Sequence, residues 1–328
     1  MAKQRVLSGM RPTGKLHLGH LHGTLDNWVK MQDEYDCFYM VADWHALMSE
    51  YEDPKGMREN SIEMVKDFIA AGLDPDKCTI FIQSHVPEHL ELYMVFSDIT
   101  QLGWVERCPT YKEQLREIVG RDLTTYGFLG YPVLKAADIA VYRANAVPVG
   151  VDQLPHLELT REIIRRFNTI YKEEVFPEPE PILTKTPKLL GLDNRKMSKS
   201  YGNFIALSDP SADIEKKVAQ MITDPQRVRL TDKGHPEICN VFSYYSIFSA
   251  TDAQVKVRDW CEGAKTGCTE CKKNLAKILA KHLEPVREKR AALTDKRVEE
   301  VLRAGAVKAR KAASATMDSV KRLVSFAV

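Results

Sequence analysis

The stretch Ser8-Gly-Met-Arg11-Pro12-Thr13-Gly-Lys-Leu-His17-Leu-Gly19-His20 decides how this chain folds. Ahead of it, Arg5-Val-Leu reads as a short buried strand ending at Ser8-Gly9. The Pro/Gly-rich turn is then followed by an amphipathic period that predicts a helix through about Lys30. Glycine lets backbone approach a bound nucleotide closely, and a helix N-terminus favours phosphate. His17 and His20, three residues apart, fall on one helical face. Such a pair could donate hydrogen bonds to phosphate oxygens as charge develops in a transition state. It reads equally as an HxxH metal pair or as two surface histidines.

Outward from that turn, Cys37-Phe-Tyr-Met-Val-Ala42 is a continuous apolar run, as expected of a strand covered on both faces. Glu59 to Ala71 has a helical period, and Gly72 suits its C-terminal cap. Thr79 to Gln83 and Val147 to Gly150 read as further strands, the second followed by a helix from about Gln153 to Phe167. Strands alternating with helices predict an α/β domain built on a parallel sheet. The prolines of Val175-Phe-Pro-Glu-Pro-Glu-Pro181 predict a surface connection rather than an element. Beyond about Pro210 the pattern is almost wholly helical, which places a domain change near Ser208-Asp-Pro210.

The chain has 328 residues, 44% hydrophobic and 28% charged, the composition of a globular protein with a substantial core. No apolar run approaches the ~20 residues that cross a bilayer, and the first residues carry no secretory signal pattern. The expected compartment is the cytoplasm. A net charge of +2 conceals an uneven distribution: from Lys272 onward there are 15 Lys and Arg against 6 Asp and Glu. A basic end on an acidic body suits a polyanionic partner, or else a set of solvated helix faces.

A second polar segment, Lys196-Met197-Ser198-Lys199-Ser200, lies about 180 residues after His17. Two lysines and two hydroxyls on a loop suit a triphosphate that leaves as pyrophosphate, although a lone KxxK is also an ordinary basic loop. In this order, HLGH and KMSKS resemble the HIGH and KMSKS signatures of class I aminoacyl-tRNA synthetases, which flank ATP on a Rossmann-like sheet. Gly130-Tyr131-Pro-Val-Leu-Lys135-Ala-Ala-Asp138-Ile139 resembles the YPxLxAADI block of the tryptophanyl-tRNA synthetases. Val147-Pro-Val-Gly150-Val151-Asp152-Gln153-Leu-Pro-His-Leu-Glu158-Leu-Thr-Arg161 and Val41-Ala-Asp43-Trp44-His45-Ala46 are similar to two further blocks of that family.

The resemblance implies a Rossmann-like catalytic domain over residues 1–208, with a helical insertion at about 105–140, and a helical tRNA anticodon-binding domain over 209–328. It implies that tryptophan is activated with ATP and Mg²⁺ and then transferred to tRNA(Trp), in a homodimer. His17, His20, Lys196 and Lys199 would act on the phosphates. Arg11, Pro12, Thr13, Gly19, Gly150, Val151, Asp152, Leu189, Met197, Ser198 and Ser200 would line the ATP site. Tyr131, Gln153, Asp43 and His45 would surround the amino acid, and Asp138 would accept the indole N–H. A buried acceptor of that kind can discriminate by ~10⁴–10⁵ against a side chain lacking the donor. An aspartate beside a helix serves more commonly as an N-cap or ion-pair partner.

Two positions depart from the family pattern. Lys135 stands where an uncharged residue is expected, and either turns outward or contacts Asp138. Arg11 replaces a frequent glutamine, and a guanidinium near phosphate is favourable.

Cys37, Cys78 and Cys108 are scattered and read as small core residues. Cys239, Cys261, Cys268 and Cys271 form C-x21-C-x6-C-x2-C, a four-sulfur set suited to structural Zn²⁺ or to a [4Fe–4S] cluster. A bacterial subgroup of tryptophanyl-tRNA synthetases has nearly this spacing around a [4Fe–4S] cluster, and the resemblance favours iron–sulfur.

Overall fold

A computed structural model describes residues 3–109, 111, 112, 115, 122–183, 189–199 and 201–326. Five strands, β1 (Arg5–Met10), β2 (Asp36–Val41), β3 (Thr79–Ile82), β4 (Ala146–Val149) and β5 (Glu180–Leu183), form one sheet in the order β3-β2-β1-β4-β5. All four neighbouring pairs run parallel. The helices of the α/β part are α1 (Leu18–His20), α2 (Asp26–Glu34), α3 (Asp43–Glu50), α4 (Met57–Ala71), α5 (Glu88–Ile99), α6 (Leu102–Glu106), α7 (Tyr126–Val141) and α8 (Leu154–Tyr171). Next come α9 (Ser211–Ala219), α10 (Asn240–Phe248), α11 (Thr251–Glu262), α12 (Cys268–Ala291) and α13 (Asp295–Leu323). No strand follows β5 among the described residues, as the sequence predicts.

Period-2 alternation explains how the sheet is covered. Cys37, Tyr39 and Val41 of β2 enter one core with Trp28 of α2 and Phe68 of α4. Phe38 and Met40 enter the other, with Phe96 of α5 and Ile163 of α8. With both faces buried, β2 needs the unbroken apolar run that the sequence shows. Trp28 and Tyr39 stack with ring centroids 4.4 Å apart. Gly72 ends α4 at φ +118°, a conformation that side chains rarely adopt.

The helical region is not detached from this body. The first core continues through Ile214, Tyr244 and Leu279 to Val298 of α13, while Ala309, Ala313 and Met317 of the same helix join the second. Helix α13 thus crosses the β3 edge of the sheet and covers an edge that would otherwise expose unpaired backbone groups. Gly305 permits the approach, since a Cβ there would lie 1.8 Å from the Ile80 carbonyl oxygen. Arg290 of α12 also reaches α4, donating to Asp67 at 2.7 Å and pairing with Glu63.

Two local expectations need correction. The proline run after Val175 is not only a connection. It leads into β5, with Pro181 in register with Val147, and an edge strand is where a residue lacking N–H is tolerated. Val175 and Phe176 are buried rather than on the surface. The helix after His17 is not a uniform α-helix either: between α1 and α2 the chain makes a π-helical stretch, Leu21–Leu25, a feature frequent beside functional sites. No helix of the described residues is long and apolar enough to cross a membrane.

Candidate active site at the sheet switch point

In an open parallel sheet, ligands bind beyond the carboxyl ends of the strands where the strand order reverses. Here that point lies between β1 and β4. β1 pairs with β2 at six positions but with β4 only through Val6 and Ala146, so the two central strands separate toward their carboxyl ends. A cavity of about 430 Å³ occupies that region, with Gly9, Arg11, His20, His45, Asp138 and Gln153 among its walls. Tyr131, Lys135, Gly150 and His156 also line it.

Asp138, near the end of α7, is 1% exposed and faces into the cavity. His45 Nε2 is 2.7 Å from its Oδ2, Gln83 Nε2 donates to Oδ1 at 2.7 Å, and His89 Nδ1 lies 2.6 Å from the same oxygen. Burial pushes the Asp138 carboxyl up, but the His45 and His89 hydrogen bonds and charges outweigh it and hold it at about 2. A carboxylate has roughly four acceptor positions, and three are filled from within the protein. Asp138 is therefore no N-cap, and the ion-pair alternative holds only in the form of its buried contacts with His45 and His89. It is a fixed anion with room for one more donor. Sequence reading missed Gln83 and His89, whose only local signal is that two polar residues closely follow a buried strand.

On the amino-acid side, Tyr131 Oη lies 3.0 Å from His156 Nε2. Lys135 neither turns outward nor hydrogen-bonds Asp138. Its Nζ donates to Gln153 Oε1 at 2.9 Å, and Gln153 in turn donates to Asp152 at 3.1 Å. Burial pushes the Lys135 ammonium down to about 8, against the pull of Asp138 and Asp152. Asp43 does not line the cavity. Its Oδ1 accepts the backbone N–H groups of Trp44 and Ser84, at 3.0 and 2.9 Å, and so ties α3 to the turn after β3.

On the phosphate side, the His17 and His20 rings stand 3.8 Å apart. The His17 backbone N–H donates to His20 Nδ1 at 3.3 Å, which leaves the proton of a neutral His20 ring on Nε2. Burial, then the Lys199 charge, lowers His17 to about 4. Burial, His17 and Lys199 together hold His20 well below its ordinary value. Both imidazoles are therefore neutral at pH 7. Lys199 Nζ reaches across to the Gly14 carbonyl at 2.9 Å. Burial, then Arg11, pushes it down to about 8, against the pull of Asp67.

The KMSKS segment thus lies against the first turn rather than apart from it. A Cβ on Gly19 would lie 3.4 Å from Met197 Sδ. Ser198 N–H donates to Asn203 at 2.9 Å, and Lys196 pairs with Leu190 in an isolated bridge. Pro12 is buried below the turn, and Thr13 N–H bonds the Arg11 carbonyl at 2.9 Å. Lys196, Val151 and Asp152 are exposed, and Leu189 is half-buried against the core. Ser200 lies outside the described residues.

The four clustered cysteines converge. Cys239, Cys261, Cys268 and Cys271 line one small cavity with Arg227 and Trp260, and none is in a disulfide. Burial raises the Cys239 and Cys261 thiols and takes Cys271 to about 12. Among the described residues, no group of three or more His, Cys, Asp or Glu side chains is arranged to hold a metal ion.

Comparison with known proteins agrees with this geometry. The family of class I tRNA synthetases for tryptophan and tyrosine matches residues 1–284. The tryptophan–tRNA ligase of Thermotoga maritima is 50% identical over 98% of this chain and 99% of its own length. That of Aquifex aeolicus is 43% identical over 98% of this chain and all of its own. The crystal structure of the Campylobacter jejuni tryptophanyl-tRNA synthetase complexed with ADP and tryptophan superposes with a TM-score of 0.90 at 32% identity, covering 98% and 99% of the two chains. The chain belongs to the class I tRNA synthetases, among the tryptophan–tRNA ligases.

Proposed function

We propose that the switch-point cavity holds tryptophan with its indole N–H on Asp138, and ATP between the His17–His20 turn and Lys199. The observation that carries this reading is the single acceptor position left on a buried, ionised Asp138. Phenylalanine in the same place leaves that position unpaired, at a cost typical of a buried polar group.

Activation then needs no protein nucleophile. The tryptophan carboxylate attacks the α-phosphorus, forming a carboxyl-oxygen–phosphorus bond as the bond to pyrophosphate breaks. A ribose hydroxyl at the tRNA 3′ end subsequently attacks the carbonyl carbon and releases AMP. Catalysis of this kind rests on positioning and charge stabilisation. His20, with its proton on Nε2, would donate to a phosphate oxygen, and His17 would act beside it. Lys199, with Lys196 at the rim, would balance charge on the departing pyrophosphate. Arg11, Thr13, Gly19, Gly150, Val151, Asp152, Leu189, Met197, Ser198 and Ser200 would frame the nucleotide. Gln153 and Tyr131 would orient the α-amino group, with Lys135 fixing Gln153. Mg²⁺ characteristically keeps waters and binds through substrate phosphates, and would arrive on the triphosphate.

Cys239, Cys261, Cys268 and Cys271 would hold a resident metal group, although as they stand their side chains are not arranged around one ion. Their convergence on one cavity supports this, as does Gly234, where a Cβ would lie 2.3 Å from Cys261 Sγ. Burial disfavours the bare thiolates of Cys239, Cys261 and Cys271, and bound metal would supply the missing positive charge. The resemblance to the iron–sulfur subgroup favours [4Fe–4S] over zinc, and the group would brace the helical region. That region, 209–328 with its basic helices α12 and α13, would contact tRNA(Trp), and the enzyme would work as a cytoplasmic homodimer.

ATP–pyrophosphate exchange tests the central claim. It should depend on tryptophan, with tyrosine and phenylalanine inactive. Exchange with tyrosine would overturn the assigned specificity.

A further inference from the structure

A second cavity, of about 290 Å³, opens where α2 meets α10 and α12, with His22, Asp26, Lys30, Phe248 and His282 among its walls. His22 and His282 are 260 residues apart in sequence, yet their Nε2 atoms are 3.1 Å apart. Asp26, one helical turn after His22, accepts from His22 Nδ1 at 2.8 Å. That bond places the proton on Nδ1 and leaves Nε2 with a lone pair directed at His282. A carboxylate on the far nitrogen is the usual support of a metal-binding histidine. Two imidazole nitrogens on one tetrahedral ion, with metal–nitrogen bonds of ~2.0–2.1 Å, stand about 3.3 Å apart, so the pair is already near ligand spacing. Phe248 flanks both rings, with centroids 5.3 Å from His22 and 5.1 Å from His282, and limits their reorientation.

We propose that His22 and His282 form a two-imidazole site for a borderline transition-metal ion of the zinc or nickel type, completed by water. Imidazole suits such ions, and carboxylate-binding hard cations do not compete well for it. The open cavity gives room for the water ligands. The site joins the π-helical stretch that follows His20 to helix α12, so a bound ion would fasten the phosphate-binding turn to the helical region. None of its residues belongs to the switch-point cavity or to the cysteine set.

The test is equilibrium dialysis of the full chain, with its cysteine site as purified, against Ni²⁺, with melting temperature measured alongside. Wild type should bind one equivalent that is lost in both His22→Ala and His282→Ala, and Ni²⁺ should raise the melting temperature only when both imidazoles are present. Asp26→Asn should retain the ligands but weaken binding by about tenfold, which reports the site even if one alanine variant folds poorly. Tryptophan-dependent exchange in each variant verifies folding. Equal nickel binding by wild type and both alanine variants would assign the ion elsewhere and overturn the proposal. Failure of wild type to bind nickel would reduce the pair to a hydrogen bond between two imidazoles and overturn it too.

Discussion

Replacing Asp138 by Asn changes one atom of the cavity and tests its central interaction. The carboxylate receives Gln83, His45 and His89 on its two oxygens and, in the proposed complex, the indole N–H as a fourth donor. Asparagine has one acceptor oxygen, and its amide donor either faces another donor or forces His45 or His89 into the other tautomer. A hydrogen bond to a charged group contributes ~1.5–3 kcal/mol, and a tenfold change in rate corresponds to about 1.4 kcal/mol. The kcat/KM for tryptophan should therefore fall by about 10- to 150-fold. Phenylalanine has no N–H to lose, so the selectivity for tryptophan over phenylalanine should shrink by the same factor. The mismatched buried network should separately cost ~1–3 kcal/mol of stability, seen as a lower melting temperature. The assay is ATP–pyrophosphate exchange with both amino acids on wild type and Asp138→Asn, after circular dichroism shows that the variant is folded. A folded variant with selectivity within twofold of wild type would refute the indole–carboxylate contact.

Lys199 carries a pH prediction. Its cation is disfavoured in the free protein and titrates near 8, so kcat/KM for ATP should fall as pH rises through about 8, and Lys199→Arg should move that limb to higher pH because a guanidinium stays charged. A limb unchanged in the arginine variant would assign it to another group, with Lys135 the next to test. Gly305→Ala places a methyl group 1.8 Å from the Ile80 carbonyl oxygen, and overpacking of that severity should cost about 3 kcal/mol or more; a melting temperature equal to wild type would mean that α13 does not seat on β3 as described. Purified anaerobically, the protein should be brown and contain iron and sulfide, and Cys271→Ser should lose the visible absorbance. Stoichiometric zinc without iron would make the cysteine set a zinc site.

The strands, the helices after them and the two phosphate-handling segments were legible because each is a local pattern. An apolar run such as Cys37 to Ala42 needs no partner to be recognised, and Gly72 marks a helix end through its own backbone freedom. Asp138, His17, His20 and Lys199 were likewise named from motifs, and the fold brings each of them to one end of the sheet. What surrounds them depends on distant chain. Gln83 and His89 reach Asp138 only because β3 and α5 pack beside α7, and Lys135 turns to Gln153 because β4 leads α8 past it. The prolines before β5 argued locally for a loop, and an unfilled edge beside β4 overrode them.

Sequence alone determined the class of chemistry, through the resemblance of the histidine and lysine segments, in their order, to the signatures of a known family. Tertiary structure decided how Asp138 is held, where the last helix lies and which histidine faces His22. Those outcomes follow from close packing of elements far apart in the chain, and backbone preference and hydrophobic period carry no record of a partner 260 residues away.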